Sequence, residues 1–491
     1  MIKKLIFIAA MILVLGALVL TLFILNKTPA PAPAAQVPAV ERKYILDLEN
    51  NGEEDSPLLS VRVENSGGGY TVLANVQGPI VLGEDSTPKP VLSGWEEFSA
   101  DTYLLNRVLN VSSRIEERGI VAETPENLGA FGLDNPRAAA HIRPARGEEV
   151  TIFVGNPAPD RINCYVMKQG DPAVYLAYGS DMDLFDKIPL DFLDKTISPA
   201  AVQNEYQENL FAEVVLGGSV RQGEDISVRR FEVDPSETKT GLLPNTLRML
   251  KPMEVNLNID KASKAFAGLF GLSATRIAGR IENSSDLANW GLDKPYSTAK
   301  VTGIEDEGNF SLRVSAPTSE GNVYIQREGL NLVFEMPASS LSWLTTTWFD
   351  IMDRIMVLPF IDHVAEVDVI SREKTVNFKL SGEGDDLKVM AGDIEVNESY
   401  FRTYYQTLLL AMYDELAPEQ EKPKTKPVLE IVYRYRDGRP SDRTTFWETN
   451  TRRCLSCLNG GRLYYTMSVY VDKVLADLEQ VLKGVKTVSY I

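Results

Sequence analysis

One stretch of this chain occurs twice. Residues 127–136 read NLGAFGLDNP and residues 286–295 read DLANWGLDKP, so Gly132 and Gly291 stand 159 residues apart. The same offset pairs Tyr165 with Tyr324, Val174 with Val333, and the run from Asp191 to Lys195 with that from Asp350 to Arg354. Self-similarity over this length marks a duplicated domain and constrains the fold more than any local motif. A chain of 491 residues is too long for one hydrophobic core, and the duplication shows how it is divided. The expected boundaries are a first repeat over 44–204, a second over 205–360 and a degenerate third over 361–491. The third lacks the Gly-Leu-Asp-x-Pro signature and is read from the cysteine-containing strand near 453–458 and the helical pattern after it.

Each repeat opens on strand-like sequence. Leu58 to Val63, Phe211 to Leu216 and Val364 to Ile370 serve as openers, and Thr375 to Leu380 forms a hairpin with the last of these. A helix is expected next: Ala100 to Leu109 behind Ser99, a segment beginning at Asp260 that pairs with Asp101 at the 159 offset, and Asn397 to Leu416 with Asn397 as N-cap. After the Gly-Leu-Asp-x-Pro motif come His141 to Arg143, Val150 to Val154, Tyr165 to Lys168 and Ala173 to Ala177. Turns as short as Lys168 to Asp171 leave no room for a parallel crossover, so the strands are antiparallel. Gly170, Gly329 and Gly460 mark one recurring turn. A helix from about Val471 to Leu482 closes the third unit. The fold class is α+β: tandem modules of mainly antiparallel sheet plus helix, preceded by one N-terminal transmembrane helix.

Leu5 to Leu25 is an uncharged run preceded by Lys3 and Lys4. About 20 apolar residues cross a bilayer, whereas the apolar core of a cleaved signal peptide is about 7 to 15 residues, so residues 1–27 are read as a cytoplasmic tip and retained anchor. Cleavage is the competing reading. The lysines orient the N-terminus inward and place the bulk of the chain outside the cytoplasm. Residues 28–43 form a Pro/Ala-rich linker. All 68 acidic residues lie beyond residue 40 while Lys3, Lys4 and Lys27, three of the 50 basic ones, precede it, so the exterior part carries −21. That balance argues against nucleic acid or anionic lipid as a partner.

Local chemistry is sparse. Gly132, Leu133, Asp134 and Pro136, with Gly291, Leu292, Asp293 and Pro295, are read as a structural repeat motif: glycine relaxes the backbone, aspartate accepts from nearby amides, and proline launches a strand. Cys454 and Cys457 have the spacing of a thiol redox pair, but residues three apart on a strand face opposite sides about 10 Å apart. Structural thiols are favoured there over a local disulfide or a redox role. With Cys164 as the one further cysteine and two histidines, His141 and His363, zinc is disfavoured. Neither histidine stands near a nucleophile motif, and no phosphate-binding loop, dinucleotide fingerprint or Gly-x-Ser-x-Gly elbow occurs. No catalytic, cofactor-binding or metal-binding residues are assigned. The aromatic groups Trp343 to Phe349, and Tyr400 to Tyr405 with Tyr413, are read as core before binding platform.

Residues 128–195 and 287–354 resemble a bacterial family of domains of unknown function, DUF4340. The likeness rests on the Gly-Leu-x-x-Pro starts, the Tyr165 and Tyr324 strands, the Val174-Tyr175 and Val333-Phe334 strands, and the closing 193–195 and 352–354 segments. The resemblance implies a setting similar to auxiliary proteins of gliding-motility-type ABC transporters, and no catalytic residues. The resulting expectation is a non-enzymatic, membrane-anchored extracytoplasmic accessory or scaffold protein associated with integral-membrane transporter subunits. An envelope polysaccharide- or peptide-binding receptor is the alternative.

Overall fold

The computed structural model describes residues 42–48, 58–76, 89–203, 211–231, 246–304, 308–419 and 421–488. The anchor expected at 1–27 and most of the linker at 28–43 lie outside these residues, and no helix among the described ones is long and apolar enough to cross a membrane. The chain divides into two compact units, 1–194 and 195–491.

Unit one contains an eight-stranded sheet whose spatial order is Lys89–Leu92, Tyr70–Val76, Leu58–Asn65, Ala138–Pro144, Val150–Pro157, Asn163–Lys168, Val174–Tyr178, Gly119–Ala122. Unit two contains two nine-stranded sheets. The first runs Val255–Asn256, Leu247–Lys251, Ile226–Arg230, Glu213–Gly217, Ser297–Thr302, Phe310–Val314, Asn322–Arg327, Leu332–Pro337, Arg276–Arg280. The second runs Ile394–Val396, Lys388–Ala391, Thr375–Ser381, Val364–Ser371, Leu429–Tyr435, Asp442–Glu448, Arg453–Leu458, Tyr464–Met467, Glu415–Leu416. All pairings in these sheets are antiparallel. The rule is the same in each: two meanders meet at their first strands, and the strand that follows the helix returns to the far edge. The sheet at 364–467 obeys it without the Gly-Leu-Asp-x-Pro motif.

Helix α1 (Thr102–Ser113), α2 (Ile259–Ala267) and α3 (Glu398–Leu408) each follow the first meander. Their N-caps match: Asp101 accepts from the Leu104 amide, Asn258 from Lys261 and Asn397 from Tyr400, each at 3.1 Å. Such a cap satisfies one of the helix's orphan amides. The inward residues follow helical spacing, with Leu105, Val108, Leu109 and Ser112 on α1 and Phe401, Tyr404, Tyr405 and Leu408 on α3. Helix α4 (Ser468–Leu482) packs against α3 and buries Tyr470, Val471, Val474, Leu478 and Val481.

Three expectations need correction. The cap of α1 is Asp101 rather than Ser99, and its counterpart is Asn258 rather than Asp260, so the helices are offset by 157 residues. The 159 offset is also interrupted between Gly132 and Tyr165. Ala138 faces Val154 while Ser297 faces Val314, a shift of 160 on the second strand, and the next strand returns to 159 with Val166 against Val154 and Ile325 against Val314. One turn gained a residue and the next lost one, which leaves the flanking register intact. Finally, α3 ends at Leu408, and Glu415–Leu416 form an edge strand against Tyr464 and Tyr465.

The loop after the last strand of the two motif-bearing modules turns carbonyls inward, and each module satisfies them differently. In unit one Tyr70 Oη donates to Leu184 O at 2.9 Å, while Asn65 Nδ2 donates to Phe185 O and Lys187 O at 2.8 and 2.9 Å. In unit two the buried Arg221 donates to Trp343 O at 2.7 Å and Thr346 O at 3.1 Å, and also to Gly217 O and Ser297 Oγ at 2.6 and 2.9 Å.

Candidate functional site

The duplicated motif closes a 3-10 turn onto its sheet. The turns Leu128–Phe131 and Ser284–Trp290 are capped by Asn127 and Asn283 and end on Gly132 (φ 67, ψ 25) and Gly291 (φ 67, ψ 26). A left-handed backbone there favours glycine. In the first copy a Cβ would also lie 2.5 Å from the Asn156 side chain. Leu133 and Leu292 then plunge into the core, at 4% and 0% exposure. The preceding ring packs edge-on against the aligned tyrosine, Phe131 on Tyr165 at 5.0 Å and Trp290 on Tyr324 at 4.9 Å. Asp134 and Asp293 are exposed, and Asp134 accepts from the next amide at 3.0 Å. Pro136 and Pro295 lead into the strands at 138 and 297. These eight residues form a latch at the head of the second meander.

Cys454 and Cys457 lie on the strand Arg453–Leu458, opposite Thr466 and Thr445 respectively, and all three cysteines are free and buried. Cys457 packs with Ala417, Trp447, Leu455 and Leu463 on one face, and alternation along the strand turns Cys454 to the other. Burial pushes Cys454 and Cys164 up to about 11 and raises Cys457 as well. A thiol that resists ionisation is a poor nucleophile. In native protein at pH 8 all three thiols are expected to react with a maleimide at least tenfold more slowly than in denatured protein, measured by mass spectrometry; equal rates would contradict the buried placement. Because the folded values of Cys454 and Cys164 lie above those of the unfolded chain, the contribution of these two thiols to stability is full below about 9 and falls as pH rises towards 11.

His141 contacts Thr151 Oγ1 at 3.2 Å and lies 3.8 and 3.9 Å from Glu64 and Glu149, while His363 meets Phe360 edge-on. No cluster of three or more metal-ligating side chains occurs among the described residues. Most of the aromatic groups are core: Trp343, Trp348, Phe349, Tyr404, Tyr405 and Tyr413 are buried, while Tyr400 is half-buried.

The sequence reading missed the segment joining the two sheets of unit two. Leu358, Pro359, Phe360 and Ile361 face Arg402, Tyr405, Gln406 and Leu409 of α3 and its C-terminal end across a pocket of about 430 Å³. Tyr405 Oη donates to Pro359 O at 2.9 Å and fixes the segment against the helix. Burial pushes that phenol well above its ordinary value, so it remains a donor. Leu358 and Phe360 nevertheless stay 58% and 51% exposed. Arg402 stands at the lining as its cation and is shared with Glu398 on its own helix at 2.5 Å and with Gly384 O. The site can take an apolar side chain with a polar or anionic group near Arg402. A legible signal existed: residues 355–361 form an almost unbroken apolar run where the repeat spacing puts a connector.

Against this geometry, the model of a family described as a domain of unknown function, DUF4340, matches residues 91–278 and 248–428, together more than half of the chain. The chain belongs to that family. Each DUF4340 match starts beside a helix, at the strands 89–92 and 247–251, runs through one latch and one second meander, and ends beyond the helix of the next module. The DUF4340 matches therefore overlap at 248–278, and the second takes in the whole pocket segment. No curated protein and no solved structure matches this DUF4340 chain.

Proposed function

We propose that this chain is a non-enzymatic accessory or scaffold protein, anchored in the membrane by Leu5 to Leu25 and exposing its modules outside the cytoplasm, where it associates with integral-membrane subunits of an ABC-type transporter. The observation that carries the reading is the rim of Leu358 and Phe360, two large apolar side chains held in solvent over a pocket on an otherwise strongly acidic chain. Water-exposed apolar groups around a concavity mark a surface that a partner covers. Transporter association draws its support from the family resemblance and from the apolar N-terminal run. The alternative, an envelope polysaccharide- or peptide-binding receptor with the aromatic groups as its contact, draws less support, since Trp343, Trp348, Phe349, Tyr404, Tyr405 and Tyr413 are buried and Tyr400 is half-buried.

The test is purification from membranes in mild detergent at native expression. The wild-type chain is expected to bring transporter subunits with it, and the pair Leu358→Asp and Phe360→Asp to lower their recovery at least tenfold with unchanged thermal unfolding. A chain that purifies alone and binds saccharide by calorimetry would replace the scaffold reading with the receptor.

A further inference from the structure

The chain leaving each helix meets an extended segment from elsewhere in the sequence, and the three meetings are the same. After α1, Glu116 pairs with Tyr44 in an antiparallel two-stranded sheet, and the Glu117 amide donates to Lys43 O at 2.9 Å. After α2, Ser273 pairs with Thr196 and the Ala274 amide donates to Lys195 O at 2.8 Å. After α3, Met412 pairs with Ile355 and the Tyr413 amide donates to Arg354 O at 2.8 Å. The next residue is buried in every case: Ile45 at 8%, Ile197 at 0% and Met356 at 4% exposure. The incoming segments therefore share one pattern, a basic residue, a variable one and a long aliphatic anchor. Lys195 to Ile197 and Arg354 to Met356 directly follow the closing aspartates Asp194 and Asp353 of the two repeats. Lys43 to Ile45 follow no repeat, yet occupy the corresponding place.

The geometry points to a strand-acceptor slot behind each helix, a binding site for an extended peptide of the pattern Lys/Arg, any residue, Ile/Met. In unit one it is filled in cis by residues 43–48. Main-chain bonds hold the peptide irrespective of its side chains, and one buried aliphatic residue supplies the selection, which is the logic of strand addition to a sheet edge. The slot of unit one differs from the other two in that its occupant is the chain that comes from the N-terminal linker. The linker is thereby fastened at the end of α1, before the first strand of the large sheet at Leu58. Leu46, at 5% exposure, and the Leu48 amide, 2.9 Å from Ser113 O, extend the hold beyond the shared pattern.

Amide hydrogen exchange on the full chain tests this. Ile45→Asp is expected to speed exchange at Glu117 and Leu48 at least tenfold while Ala140 and Val154 in the large sheet stay protected. A peptide spanning residues 42–48, added at millimolar concentration, should restore protection at Glu117 in that variant and leave the wild type unchanged. A peptide spanning 193–200 should do the same, and the 42–48 peptide with aspartate in place of Ile45 should not. The milder Ile45→Ala should give an intermediate rate, which guards against a variant that simply misfolds. Unchanged Glu117 protection in Ile45→Asp, or failure of both native-sequence peptides to restore it, overturns the proposal.

Discussion

Arg221→Ala is expected to destabilise unit two by about 3–5 kcal/mol, the scale seen when one partner of a buried charged network is removed. The arginine is 5% exposed and, among the described residues, no carboxylate pairs with it at salt-bridge distance; its guanidinium donates to three backbone carbonyls and one hydroxyl. Truncation leaves those acceptors dry, at about 1–3 kcal/mol for each buried polar group without a partner. Burial brings the arginine down to about 10, so it still carries its charge at neutral pH. Urea unfolding should show a lower midpoint at unchanged slope for the transition of unit two and no shift for unit one. Arg221→Lys should recover only part of the loss, because one ammonium cannot reproduce a planar fork that reaches Gly217, Ser297, Trp343 and Thr346. A midpoint within experimental error of the wild type would show that water satisfies the ring as well as the arginine does.

The carbonyl ring also explains what the sequence hid. Its acceptors keep the 159-residue repeat, Leu184 answering to Trp343 and Lys187 to Thr346, but the donors are Tyr70 and Asn65 in one module and Arg221 in the other. A backbone acceptor constrains only that some donor reach it, so residue type is free to change and no motif survives. The latch was legible for the opposite reason. Gly132 and Gly291 must take a left-handed backbone, Leu133 and Leu292 must fill the core, and Pro136 and Pro295 must start a strand, so residue type itself carries the information. Gly170, Gly329 and Gly460 were readable on the same ground, each at positive φ two residues past its strand. The end of α3 was not readable. Leu409, Leu410, Ala411 and Met412 prolong the apolar pattern with no glycine or proline to stop it, and what stops it is the pairing of Met412 with Ile355, a backbone event from a distant segment. The pocket depends on that same long-range placement, since Leu358 and Phe360 become a rim only once α3 lies opposite them.

Trp348→Ala is expected to uncouple the two sheets of unit two. The indole is 1% exposed; its Nε1 donates to Glu224 Oε2 at 2.8 Å, and its ring lies 5.0 Å beneath Arg462, whose Nη1 reaches Glu224 Oε1 at 2.9 Å. Phe349 meets Trp348 edge-on and stacks on Tyr464 at 6.1 Å, and Tyr464 lies against Tyr413 at 4.0 Å. Thus Glu224 and Trp348 from one module clasp Arg462 and Tyr464 from the next. Loss of a buried tryptophan costs about 3–5 kcal/mol, whereas the Glu224–Arg462 pair, half open to water, contributes on the order of 1 kcal/mol or less. The ring should therefore dominate, and Arg462→Ala should cost a fraction of what Trp348→Ala does. Arg462 first and Trp348 second hold the Glu224 carboxyl below its ordinary value of 4.5, so its share of the coupling is present above that pH and is lost as pH falls through the lowered value. Calorimetry reads the outcome directly: one cooperative transition for unit two in the wild type should separate into two in Trp348→Ala, with the Arg462→Ala chain intermediate at pH 7 and closer to the wild type as the pH falls below 4.5 and the Glu224 carboxyl takes up its proton. A single sharp transition in Trp348→Ala, merely displaced in temperature, would mean that the backbone pairing of Ile355 with Met412 couples the modules without the aromatic clasp.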